Sequence, residues 1–99
     1  MAHYLVRAKP PENLGELRAL LDSGEIEEME PFGRELQHVL ENARVDDEGW
    51  ATWEETCYCS PPLKQEREVL DRYFSGLTTQ TLRQGEGWAQ ISDLPSLWD

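Results

Sequence analysis

Residues 35 to 59 read ELQHVLENARVDDEGWATWEETCYC, and the period assigned to their first half decides the fold. Leu36, Val39, Leu40 and Ala43 recur at helical spacing, whereas Leu36, His38 and Leu40 alternate as a strand does. The second half is less ambiguous, because Trp50 to Cys59 is rich in Trp, Thr and Tyr, which suit a pleated surface. Between the two, Asp46-Asp47-Glu48-Gly49 has the form of a short hairpin loop. That context favours a strand for 35–45, paired antiparallel with 50–59, and leaves a helix over 35–45 as the alternative.

Working outward, Tyr4 to Lys9 is short and β-prone, and Pro10-Pro11 closes it because proline cannot donate to a ladder. Asn13 then caps a first helix with Leu14, Leu17, Leu20 and Leu21 on one stripe, and Gly24 stops it. Glu25 to Glu30 is an acidic turn carrying Ile26 and Met29. Downstream, Ser60-Pro61-Pro62 has the signature of a helix start, and Leu63, Leu70, Tyr73, Phe74 and Leu77 extend a second helix to near Gly76. Thr78 to Leu82 is β-branched and Gly87 to Ile91 alternates after the Gly85-Glu86-Gly87 turn, so a last strand or small hairpin is expected there. The tail holds Leu94, Leu97 and Trp98, too apolar to be left in water, and should be packed.

Strand, helix, strand, strand, helix, strand is the split βαβ order. This order resembles the ferredoxin-like α+β superfold over the whole chain, and within it the small proteins of the dimeric α/β-barrel kind. The resemblance implies an antiparallel sheet with two helices on one face, a single domain over 1–99, and pairing of two copies. It rests on element order, so no functional residue is carried over, and the superfold hosts many unrelated activities.

Composition narrows the partners. The 99 residues include 20 acidic and 9 basic side chains, for a formal net charge of -11. Phosphate-binding surfaces need clustered Lys and Arg, so nucleic acid is not an expected partner. The same negative field opposes anionic membranes and would attract a basic protein or a cation. No apolar run approaches a bilayer span, and 1–11 lacks the order of a secretory signal, so the expected setting is cytoplasmic. Cys57 and Cys59 would lie on one strand face too far apart for a disulfide, which agrees with a reducing compartment.

Two constellations could carry chemistry. With 35–45 as a strand, antiparallel counting from Val45 opposite Trp50 brings His38 against Cys57 and Cys59, three candidate metal ligands. A fourth ligand is missing and C-x-C is not the paired spacing of structural zinc, so core cysteines are the expected reading and no metal or organic cofactor is anticipated. Face assignment provides the second. Trp53, Cys57 and Cys59 would lie beneath the helices with Leu36, His38 and Leu40. The opposite face, with Thr52, Thr56, Gln37 and Glu41, would present His3, Arg7, Glu54 and Tyr58 as candidate ligand-binding groups. No Gly-rich phosphate loop, nucleophile elbow or H-E-x-x-H occurs. The expectation is therefore a small acidic soluble binding or interaction module, homodimeric, taking a small molecule or a basic protein. The alternative is a small-molecule enzyme of the dimeric-barrel type with its pocket on the open sheet face.

Overall fold

The computed structural model describes residues 2–57 and 62–99. Its first strand, β1 (Ala2–Lys9), alternates Val6 and Ala8 inward with Leu5 and Arg7 outward before Pro10-Pro11 ends the ladder. Helix α1 (Leu14–Ser23) begins where Asn13 Oδ1 accepts the Gly15 N–H at 2.8 Å and ends at Gly24, whose φ of 83° is the left-handed conformation that glycine adopts without strain. The acidic turn that follows buries Ile26 completely, as the anchor of an otherwise solvated segment.

The strand expected over 35–45 is instead helix α2 (Gly33–Glu41). Leu36, Val39 and Leu40 of this helix are buried, and Ala43 just past its end is too, so the helical period wins because it hides four apolar side chains where alternation would hide two. Gly33 opens this helix against the backbone carbonyls of Ile26 and Glu27, an approach that leaves no room for a Cβ. The hairpin itself exists but is short. Strand β2 is only Arg44–Val45, and β3 (Ala51–Cys57) returns after a loop in which Asp46 Oδ1 accepts the N–H groups of Glu48 and Trp50.

Helix α3 (Arg67–Tyr73) is shorter than expected, because Leu63 takes a positive φ and 62–66 form turns. Ser60 and Pro61, expected to start it, lie outside the described residues. The last strand, β4 (Ser75–Leu82), takes in Gly76 and Leu77, which were expected to finish the helix. The strand or hairpin expected over 87–91 is instead a short helix, α4 (Glu86–Gln90).

The four strands form one antiparallel sheet in the order β2-β3-β1-β4. Val6, Ala8, Ala51, Trp53 and Cys57 share its inner face and join one apolar cluster with residues of α1, α2 and α3, where the rings of Trp53 and Phe74 meet at 5.2 Å. Helix α4 lies on the other face, with Gly87 against the Glu54 side chain. From there the tail turns round the β2 edge. Val45 N–H donates to the Pro95 carbonyl, Leu97 N–H to that of Ala43, and the Trp98 indole N–H to that of Leu40 at 2.8 Å. The expected packing of Leu97 and Trp98 is thus met within the chain, Leu97 being only 5% exposed. Among the described residues no helix is long and apolar enough to cross a membrane.

Candidate functional site

Alternation along β1 and β3 brings His3, Arg7 and Glu54 to the outer sheet face, as expected, but each is engaged by the chain itself. Glu54 faces Leu5 across the ladder, and its carboxylate accepts three backbone N–H groups: Gly85 at 2.9 Å, Gly87 at 2.8 Å and Trp88 at 3.2 Å. It is the anchor that holds α4 on the sheet. His3 Nδ1 lies 3.1 Å from the Thr56 hydroxyl and 3.9 Å from Glu54 Oε2, with its side chain only 11% exposed.

Arg7 is drawn the other way along the strand. Its guanidinium donates to Asp46 at 3.1 Å and Glu48 at 2.8 Å and stacks 4.3 Å from the Trp50 ring centre. Burial pushes the Asp46 carboxyl up, but the Trp50 N–H, the Arg7 guanidinium and the Glu48 N–H outweigh it and hold the group below its ordinary value. Arg7 therefore pins the β2–β3 loop. Tyr58 lies outside the described residues. Gln37 and Glu41, expected beside this face, belong to α2.

The alternative metal set of His38, Cys57 and Cys59 is not assembled as the sequence suggested. His38 is an exposed residue of α2, and Cys57 faces Ala2 of β1 across the ladder, so the register that joined them depended on a strand that does not form. Cys59 lies outside the described residues. Among the described residues no group of three or more His, Cys, Asp and Glu side chains is arranged to hold a metal.

Sequence reasoning missed two buried carboxylates. Glu55, on the inner face of β3, is 1% exposed, and Glu66, at the start of α3, is 4% exposed. The Trp53 indole N–H donates to Glu55 Oε1 at 2.7 Å, and the Cys57 thiol lies 3.6 Å from Glu66 Oε2. Burial pushes the Glu55 carboxyl up to about 8; the Trp53 bond opposes this, while the nearby charges of Glu66 and Glu35 add to it. Glu55 is a neutral acid at pH 7. The signal was present in the chain, since Glu55 falls between Trp53 and Cys57 in the same alternation that placed those two inside.

Two further features face solvent. A groove of about 250 Å³ is lined by His38, Asn42, Arg44, Trp88 and Ser92, where the end of α2 meets β2 and α4. At the other edge of the sheet, β4 pairs among the described residues only with β1, and every residue of it is exposed or half-buried. Comparison of the chain with protein-family models, with curated proteins and with solved structures gives no match.

Proposed function

We propose that this chain is a small non-catalytic binding module that works as a homodimer joined along β4. The observation that carries this reading is the character of that edge. From Tyr73 to Leu82 no charged residue occurs, in a chain where 29% of residues are charged, and Ser75–Leu82 contains no proline. Natural sheet edges are usually blunted by charge, proline or brevity, because a bare row of N–H and C=O groups templates pairing. Here none of these devices is used over eight residues.

The occupant that suits this edge is a second copy. An isologous antiparallel pairing would set uncharged strand against uncharged strand, with Arg72 and Arg83 flanking it and the acidic groups kept outside the paired stretch. A non-catalytic role is supported by the outer face, where Glu54 and Arg7 already hold the tail and the hairpin loop. Strand order β2-β3-β1-β4 with antiparallel neighbours suits a ferredoxin-like split βαβ arrangement, here with an added helix in the β1–β2 connection. In such a sheet the β4 edge is the one a partner can extend.

Light scattering after size exclusion tests the reading. The expected result is a species of twice the 11.4 kDa chain mass at micromolar concentration, strengthened by added salt because screening relieves repulsion between two chains of charge -11. The double variant Thr79→Lys/Thr81→Lys, at two exposed positions, should be monomeric. A monomer at all concentrations, or a dimer indifferent to these lysines, overturns the proposal.

A further inference from the structure

We infer that the groove between α2, β2 and α4 is a binding site for a small aryl carboxylate. The inference goes beyond the dimer reading, because none of the groove residues belongs to β4. Its lining of His38, Asn42, Arg44, Trp88 and Ser92 contains no acidic side chain, on a chain with 20 of them. Glu41, next along α2, accepts the Gln37 amide in a neighbouring depression instead.

Arg44 supplies the recognition. It is half-buried, and one arm of its guanidinium donates to the Leu94 carbonyl at 2.8 Å, which holds the fork in place without neutralising it. Among the described residues it makes no ion pair, whereas Arg7, Arg18 and Arg67 each have a carboxylate partner. A half-buried guanidinium with spare N–H groups matches the two oxygens of a carboxylate, and holding it beforehand lowers the entropy lost on binding.

The ring preference comes from Trp88. Its backbone N–H is fixed by Glu54, its side chain is half-buried at the groove wall, and its indole N–H makes no hydrogen bond among the described residues. A half-buried indole lining the same groove as a held cation suits a flat aromatic body carrying an anionic end. Asn42 and Ser92 also line it, the Asn42 amide donating to the His38 carbonyl and the Ser92 hydroxyl to that of Ala89. The volume of about 250 Å³ lies below the usual range for drug-sized ligands, so one ring with its carboxylate is the size that suits it.

The test is a ¹⁵N-resolved NMR titration of the full chain with benzoate, alongside benzamide, acetate and inorganic phosphate. Benzoate should move the Trp88 indole and Arg44 side-chain signals saturably, with a Kd of about 1 mM or tighter, as befits so small a ligand. Benzamide lacks the charge, and acetate and phosphate lack the ring, so each should bind at least about fivefold more weakly. Arg44→Lys, which keeps the charge and loses the fork, should weaken benzoate by a similar factor with spectral dispersion unchanged. If that variant fails to fold, Ser92→Leu fills the groove from an exposed position and should abolish the shifts. Absence of saturable shifts, equal binding of benzamide, acetate or phosphate, or indifference to the variants overturns the inference. None of these readings depends on whether the chain is a dimer.

Discussion

Glu54 and Glu55 are neighbours in sequence, both nearly buried, and they end on opposite faces of one strand with opposite fates. On the outer face Glu54 meets three backbone N–H groups at the turn into α4, and its two oxygens organise the C-terminal segment. On the inner face Glu55 meets one indole N–H and the fields of two other carboxylates, and its carboxyl is pushed up to about 8. Burial alone does not decide what a carboxylate does. The donors supplied by the rest of the fold decide it, and they make one glutamate a clasp and leave the other with its carboxyl pushed up by burial.

The largest effect expected from this contrast is in the pH dependence of stability. Glu55 holds its proton in the folded state up to about pH 8 but releases it near pH 4.5 when the chain unfolds. The folded state therefore binds the extra proton between those values, and its contribution is fully present below pH 4.5 and lost as pH rises towards 8. The loss should be on the order of 1 kcal/mol per pH unit and amount to several kcal/mol over the window. Urea denaturation of the wild type and Glu55→Gln at pH 5 to 8 checks this: the variant should lose most of the slope and be the more stable at pH 8. Parallel slopes would break the contrast.

Substitution at Glu54 should destabilise the chain where Glu55→Gln stabilises it. Glu54→Ala leaves three N–H groups at the α4 turn without their acceptor, that of Gly87 buried and the other two partly so, and should cost about 2 to 5 kcal/mol, since a buried donor left unsatisfied costs about 1 to 3 kcal/mol and a more exposed hydrogen bond about 0.5 to 1.5 kcal/mol. Glu54→Gln retains one acceptor oxygen and should lose about half as much. Equilibrium denaturation at pH 7 provides both numbers, and a Glu54→Gln variant more stable than wild type would show that the two glutamates are alike after all.

Removing Ser96 to Asp99 sharpens the comparison from the other end of the same segment. It takes away the buried Leu97 side chain, worth about 1.5 to 3 kcal/mol. It also removes the hydrogen bonds from Leu97 to Ala43 and from Trp98 to Leu40, worth about 1 kcal/mol each. At about 4 to 8 °C per kcal/mol for a chain of this size, the melting temperature should fall by well over 10 °C. The smallest effect belongs to the β4 edge. Thr79→Lys/Thr81→Lys should change monomer stability by less than about 0.5 kcal/mol, because both side chains are exposed, while altering association.

Legibility followed how local each signal was. Helix α1 was read closely because its cap at Asn13, its leucine stripe and its Gly24 stop all lie within a dozen residues and need nothing else. Helix α2 was not, because a short apolar run fits two periods, and the hairpin loop beside it pointed to a long strand where the sheet uses only Arg44–Val45. The outer-face set was half legible: alternation located His3, Arg7 and Glu54 on one face, but not the partners that occupy them. Glu55 shares the alternation that sets Trp53 and Cys57 inside, but a carboxylate at an inward position runs against the usual exposure of charged residues, so its burial is not expected from composition.

By itself, then, the sequence determined the class of fold, the start of the sheet, the first helix, the acidic surface and the need to bury the apolar tail. These follow from period, caps and composition, which act over a few residues. Tertiary structure alone decided where the tail goes, which glutamate finds backbone donors, and that Arg7 is paired with carboxylates while Arg44, among the described residues, is held by the Leu94 carbonyl instead. Those outcomes join residues some 30 to 50 positions apart, Glu54 with Gly87 and Arg44 with Leu94, and no local pattern encodes such a meeting. They exist because the sheet brings distant segments to one edge and one face, where backbone donors must find acceptors and apolar side chains must leave water.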